Sequence, residues 1–193
     1  SANRILVQDG VFDEFLERFC EGVRGLIVGD GFAEGVNVGP LIDGSAVKKV
    51  ERHIADARAQ GATLLLGGAV HSRGGQFFTP TVLSGITDTM AMANEETFGP
   101  VAGISRFGTE AEAVSRANDT PFGLSSYFYS RDMARIWRVS EALEYGILGI
   151  NTGAISTEVA PFGGVKESGI GREGSHYGID EWLEVKYLCM GGV

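Results

Sequence analysis

Short runs of β-branched and aliphatic residues alternate along this chain with stretches whose apolar residues recur every three or four positions, and few folds accommodate that alternation. Ile5 to Val7 form the first extended run. After Gly10 the period changes, and Phe12, Phe15, Leu16, Phe19, Val23 and Leu26 mark one face of an amphipathic helix. The stretch GDGFAEGVNVGPLID is too rich in glycine for the interior of an element and reads as a long loop. A second helical stripe follows at Val47, Val50, Ile54 and Ala57, with Ser45 or Asp43 able to cap its start and Gly61 placed to end it. Thr63 to Leu66 form a strand and HSRGGQ a turn. The next extended segment, Phe77 to Leu83, contains Pro80, which points to an edge strand or irregular backbone. Val101 to Phe107 form a strand, and Thr109 with Glu112 gives a capping box that opens a helix through Asn118. Leu124 to Tyr129 are strand-like. Met133, Ile136, Val139 and Leu143 mark a helix ended by Gly146, and Ile147 to Ile150 start the next strand. Strands and helices of these lengths predict βαβ units, hence an α/β fold with a largely parallel sheet and helices on both faces.

The last third behaves differently. Gly153, Gly163, Gly164, Gly169, Gly171, Gly174 and Gly178 break every periodicity between Thr152 and Asp180, so a loop-dominated region is expected there, of the kind that carries binding residues on a rigid scaffold. Trp182 to Met190 are apolar and predict a terminal strand whose open edge invites pairing with another subunit. Residues 1–181 are therefore expected to form one piece of a domain and 182–193 a C-terminal strand or oligomerisation tail, with no repeat or linker between them. Ser1 is not an initiating Met, and the chain runs straight from it into a strand-like segment, which predicts that upstream sequence has been removed.

The chain carries a formal charge of −9 and a pI near 4.8, which disfavour phosphate backbones and anionic lipid surfaces as partners. No apolar stretch approaches the roughly 18 residues of a spanning helix, and no signal peptide is visible in SANRILVQDG. Cys20 and Cys189 are too few for a disulfide framework and fit a reducing compartment, the cytoplasm by default. Cys20 lies on the apolar face of the first helix and Cys189 in the terminal run with no His or cationic cluster nearby, so neither resembles a nucleophile. His53, His71 and His176 stand apart, without metal-like spacing, and are expected on the surface.

Gly169 to Gly174 match G-x-G-x-x-G, but no strand leads into the pattern and no second strand follows to place an acid on a ribose, so it reads as a glycine-rich loop or irregular helix. Glu95-Glu96-Thr97-Phe98-Gly99-Pro100 is more informative. Two carboxylates, an aromatic ring and a Gly-Pro turn before a strand offer acceptors and a flat apolar face, which suit a ribose diol and an aromatic cofactor ring; a solvated acidic turn explains the same residues.

Several motifs in one order resemble the aldehyde dehydrogenase family. EETFGPV at 95–101 resembles the motif before a catalytic-domain strand. PFGGVK at 161–166 and SGIGRE at 168–173 resemble the family's C-terminal signature, and Gly39-Pro40-Leu41-Ile42 and the opening SANRILVQ match as well. Thr97 within EETFGPV, the segment INTGAISTEVAPFGG and the ending REGSHYGIDEWLEVKYLCMGG are most similar to the succinate-semialdehyde group. The resemblance covers essentially the whole chain.

It implies an aldehyde dehydrogenase catalytic-domain fold truncated at its N-terminus, and roles for particular residues. Glu96 resembles the ligand of the nicotinamide ribose and Phe98 the aromatic against the nicotinamide. Phe162 resembles a ring lining the aldehyde tunnel. Ser156, with Thr157 as its neighbour, matches a serine that helps hold a substrate carboxylate. The implied activity is NAD- or NADP-dependent oxidation of succinate semialdehyde through a cysteine thioester, with glutarate semialdehyde or another aldehyde as the alternative. The nucleophilic cysteine and general-base glutamate are expected upstream of Ser1, so the 193 residues are expected to be inert alone and to associate as a homodimer or homotetramer when intact. The rival from another class is a non-catalytic oligomerisation or binding module.

Overall fold

The computed structural model describes residues 2–192, which divide into two compact units at Ala113/Val114. The first is built on a four-stranded sheet. The period change at Gly10 produces β1 (Ile5–Gln8), a single 3-10 turn and α1 (Phe12–Arg24). Asp13 and Glu14 in the first turn of α1 and Arg24 in the last complement the helix dipole. Next comes α2 (Gly44–Ala59). Of its two candidate caps Asp43 is the one used, since its carboxylate accepts the Ala46 N–H at 2.7 Å and the Ser45 hydroxyl at 2.6 Å. Gly61 ends the helical segment at φ +99°, a left-handed conformation that a side chain would disfavour.

The strands β2 (Thr63–Leu66), β3 (Thr81–Ser84) and β4 (Val101–Phe107) complete the sheet, with the short α3 (Ala91–Asn94) between the last two. Their order is β1-β4-β3-β2; β1 and β3 run parallel to β4, and β2 is an antiparallel edge. Successive residues of a strand face opposite sides of the sheet. Accordingly Val82 packs with Val7, Ile104, Phe12 and Cys20 under α1, whereas its neighbour Leu83 packs with Val47, Val50, Ile54, Ala57 and Phe78 under α2. Both faces are thus covered by helices, as the alternation predicts. The start of α1 is further held to β4 by Arg106, whose guanidinium lies 3.8 Å from the Phe12 ring centroid beside Asp13.

Of the two readings drawn from Pro80, the edge strand is corrected here, whereas the backbone at Thr79 and Pro80 is irregular. The strand is interior and entirely buried at Thr81, Val82 and Leu83. Pro80 is tolerated because the ladder begins one residue later, where the Thr81 N–H donates to the Pro100 carbonyl at 2.8 Å, so the missing proline N–H leaves no gap.

α4 (Glu110–Asn118) spans the division between the units. Its capping box is present but shifted: the Thr109 hydroxyl accepts the Glu112 N–H, and the Glu112 carboxylate reaches back to the N–H of Gly108. In the second unit β5 (Phe122–Gly123) pairs antiparallel with β8 (Val165–Lys166). A βαβ segment, β6 (Ser125–Phe128), α5 (Met133–Ala142) and β7 (Ile147–Ile150), places β6 parallel to β7. Asp132 caps α5 through the Arg135 N–H.

The region after β7 is irregular, ending in a 3-10 helix at Tyr177–Trp182. The terminal strand expected over Trp182 to Met190 is not formed within the described chain. A strand exists only through its ladder hydrogen bonds, and none of the described strands pairs with this segment, whose Val185 and Tyr187 are 98% and 85% exposed. Among the described residues no helix is long and apolar enough to cross a membrane.

Because Leu83 is fully buried at the centre of the sheet, Leu83→Ala is expected to lower stability by about 3 kcal/mol. Leu65→Ala, on the edge strand, should cost less than about 1 kcal/mol. The shift of the urea midpoint in each variant measures the difference.

Candidate cofactor and substrate contacts

The segment that joins α3 to β4 carries the first pair of predicted contacts. Its exposure alternates: Glu96 is exposed, Thr97 is 8% exposed and Phe98 is 71% exposed. Extended chain turns successive side chains to opposite sides, so burying Thr97 sends Glu96 and Phe98 outward. The Glu96 carboxylate makes no hydrogen bond or ion pair with the described residues. The Phe98 ring is a large apolar surface left facing outward. An unengaged acceptor next to an exposed ring fits a ribose hydroxyl and a nicotinamide face.

Glu95, the other half of the carboxylate pair, is not free to join them. Its oxygens accept from both Arg52 guanidinium nitrogens, at 3.1 and 2.6 Å, and lie 3.3 Å from His53 Nε2. The Arg52 hydrogen bonds, then the one to His53, hold the Glu95 carboxyl down from 4.5 to about 2.

His53 overturns its sequence-based placement on the surface, being completely buried. It sits three residues after Val50 and four before Ala57, on the apolar stripe of α2, and that spacing was the available signal. Its Nδ1 lies 2.7 Å from the Thr97 hydroxyl, and its Nε2 meets Arg52 at 3.2 Å as well as Glu95. With the proton on Nδ1 the ring donates to the Thr97 hydroxyl and Nε2 accepts from Arg52; with it on Nε2 the ring donates to Glu95 and Nδ1 accepts from the Thr97 hydroxyl. Burial pushes the imidazole below its usual range, Glu95 opposes this, and Arg52 and Lys49 add to it.

Asn3 completes the arrangement from the other end of the unit. Its side chain accepts the Thr97 N–H at 2.8 Å and donates to the carbonyls of Glu95 and Met92 at 3.1 and 3.2 Å. Sequence reasoning did not single out Asn3 or Arg52 and gave His53 no partner, because the contacts are made by residues 42 to 94 positions apart.

The second pair of predicted contacts lies in the second unit, on the loop that follows β7. Asn151 starts it with a positive φ of 57°, stabilised by reciprocal hydrogen bonds between its amide and the backbone of Ser130, both 2.8 Å. Ser156 and Thr157 are exposed, and the Ser156 hydroxyl makes no hydrogen bond with the described residues. Half-buried Phe162 exchanges two backbone hydrogen bonds of 2.8 Å with Glu173, which closes PFGG against SGIGRE. Arg172 fixes that closure, its Nη1 donating to the carbonyls of Gly164, Gly171 and Ile170 at 2.6, 2.9 and 3.2 Å. Gly163 is required there, since a Cβ would collide with the Gly171 carbonyl. Lys166, also at positive φ, donates to the carbonyls of Asn118 and Thr120 and pairs with Glu144.

The glycine pattern at 169–174 is thus a loop organised around Arg172, separated by a turn at Glu167 and Ser168 from the two-residue β8. Cys20 is buried in the apolar cluster under α1 and Cys189 is exposed on the tail. Among the described residues no group of His, Cys, Asp and Glu is arranged to hold a metal.

The aldehyde dehydrogenase family profile matches residues 1–188. The chain belongs to the aldehyde dehydrogenase family. It is 58% identical over 190 residues to the NADP(+) succinate-semialdehyde dehydrogenase GabD of Escherichia coli, an alignment covering 98% of this chain and 39% of that protein. It is 59% identical over 189 residues to a glutarate-semialdehyde dehydrogenase of Pseudomonas putida, with the same two coverages, 98% and 39%. Among solved structures, succinate-semialdehyde dehydrogenase from Burkholderia pseudomallei superposes with a TM-score of 0.96 at 58% identity, over 98% of this chain and 39% of that one. The chain thus spans about two fifths of the length of these aldehyde dehydrogenases.

The network makes stability depend on pH with a definite sign. Both groups have folded pKa values below their unfolded ones, so each contributes stability that is present above its unfolded value and is lost on acidification. The urea midpoint is expected to fall as pH drops below the 6.5 of unfolded histidine, and again between 4.5 and about 2 as Glu95 protonates. In Glu95→Gln the lower of the two falls should shrink, a comparison that urea titrations across pH measure directly.

Proposed function

We propose that this chain forms the binding half of the active site of an NAD(P)-dependent aldehyde dehydrogenase that oxidises succinate semialdehyde to succinate, or glutarate semialdehyde to glutarate. What supports this is, in the first unit, the outward-facing Glu96 and Phe98 and, in the second, the unengaged Ser156 hydroxyl in a segment that resembles the succinate-semialdehyde group. The two named semialdehyde dehydrogenases, near 58% identity, support an aldehyde bearing a carboxylate.

Glu96 and Phe98 would hold the ribose and the nicotinamide ring, and Phe162 would line the aldehyde path. Bound NAD(P)⁺ supplies the hydride acceptor. Ser156 would donate its hydroxyl proton to the substrate carboxylate, a charge-assisted bond of roughly 1.5 to 3 kcal/mol. The oxidation also needs a thiolate that attacks the aldehyde carbon and a carboxylate base that activates water to release the thioester. We assign both to sequence outside this chain, since Cys20 is enclosed in a core cluster and Cys189 lies on an exposed tail. The two free cysteines agree with a reducing, cytoplasmic setting. The apolar tail at 183–192 we assign to pairing with a second subunit, which would cover Val185 and Tyr187 and give the strand its missing ladder.

In the full-length enzyme, Ser156→Ala is expected to raise KM for succinate semialdehyde by about tenfold or more while leaving that for an uncharged aldehyde of equal length within about twofold. Equal effects on both aldehydes would exclude a carboxylate-binding role. The purified 193-residue chain should form no NADH or NADPH from succinate semialdehyde. Turnover that substitution of Cys20 or Cys189 abolishes would overturn that assignment. Deleting residues 183–193 should reduce the oligomeric mass of the full-length protein on size exclusion.

A further inference from the structure

Glu96 and Phe98 are exposed and lie on a segment with little regular structure, yet cofactor contacts are effective only when they are held in place before the ligand arrives. Thr97, between them, is the point at which the protein grips this segment. Its hydroxyl meets His53 Nδ1 at 2.7 Å and its N–H donates to Asn3 Oδ1 at 2.8 Å, so both its side chain and its backbone are fixed. The two anchors come from different places. His53 is on α2, inside the stripe that packs under Leu83, and Asn3 lies two residues before β1, which pairs with β4. Asn3 also holds the carbonyl of Glu95, and the Glu95 carboxylate with Arg52 closes over the far edge of the same imidazole. Every residue from Glu95 to Thr97 except Glu96 is therefore tied to the core.

We propose that the buried His53–Thr97 hydrogen bond, seconded by Asn3, is the positioning device that aims Glu96 and Phe98 at the nicotinamide nucleotide. The proposal rests on the assignment of Glu96 and Phe98 as cofactor contacts. His53 and Thr97 do not touch the nucleotide in this scheme; they act through the residues on either side of Thr97. Removing the Thr97 hydroxyl leaves a buried ring nitrogen unpaired and lets the segment sample orientations in which Glu96 and Phe98 no longer point the same way, so the nucleotide must order them on binding. Nucleotide affinity should then fall, while the chemical step at saturating nucleotide is nearly preserved.

The test compares Thr97→Val, which keeps the shape and loses the hydroxyl, with Thr97→Ser, which restores it, in the full-length enzyme. NADH and NADPH dissociation constants are measured by fluorescence titration, and KM for the nucleotide is measured alongside kcat. Thr97→Val is expected to raise Kd and KM by about five- to tenfold with kcat within about twofold, and Thr97→Ser to return both constants to near the parent values. If Thr97→Val does not fold, His53→Gln, whose amide falls near the Nε2 edge and leaves Thr97 without its partner, is expected to give the same rise. Glu96→Ala is the reference. A rise in Kd with Glu96→Ala but none with Thr97→Val or His53→Gln overturns the positioning proposal and leaves the cofactor assignment standing. No rise with Glu96→Ala overturns both. Equal losses of affinity in the Val and Ser variants, or a fall in kcat without a change in Kd, also overturn it, because neither follows from the hydroxyl's hydrogen bond.

Discussion

The parallel ladder between β3 and β4 is the constraint on which the rest of the first unit depends. Parallel strands bury both faces, so β3 can exist only if helices arrive from two sides, and consecutive residues Val82 and Leu83 each need a separate apolar cluster. Those clusters are α1 and α2 seen from the sheet. Once α2 is drawn down onto Leu83 and Phe78, the same stripe that carries Val50, Ile54 and Ala57 carries His53 inward with it. A buried imidazole requires hydrogen-bonding partners, and Thr97 and Glu95 provide them from the segment leading into β4. The packing of the sheet and the aim of the exposed contacts are in that sense one arrangement.

Much of this was legible because it is local. The change of period at Gly10, the cap at Asp43, the box at Thr109 and Glu112, and the βαβ passage from Ser125 to Ile150 all depend on residues within a few positions of one another. Pro80 misled for an instructive reason. Its missing N–H is a real penalty inside a ladder, but the penalty applies only from the first paired residue, and nothing in the sequence says whether pairing starts at 80 or 81. His53 was misplaced because polarity was weighed above position, although its spacing from Val50 put it on the buried face. The terminal run at Trp182 to Met190 has strand composition but no ladder within the chain, so composition alone did not make it one.

The candidate contacts were legible as motifs, and their support was not. Glu96, Phe98, Ser156 and Phe162 follow from short patterns. That Glu95 is withdrawn from the carboxylate pair by Arg52, and that Asn3 holds the turn from 94 positions away, depends on chain segments that only the fold brings together. Local patterns mark which residues are candidate contacts. The residues that keep them still are chosen by tertiary packing.

Gly146 carries a different kind of consequence. A Cβ at that position would coincide with the carbonyl oxygen of Gly163, while one at Gly163 would strike the carbonyl of Gly171, so three strand and loop segments touch backbone to backbone. The loop around Ser156 is therefore split into two territories. Positions 154, 156, 157, 158 and 159 are exposed, so side chains there can change without disturbing packing. Gly146 and Gly163 are interlocked, and any side chain at either position has to displace neighbouring backbone.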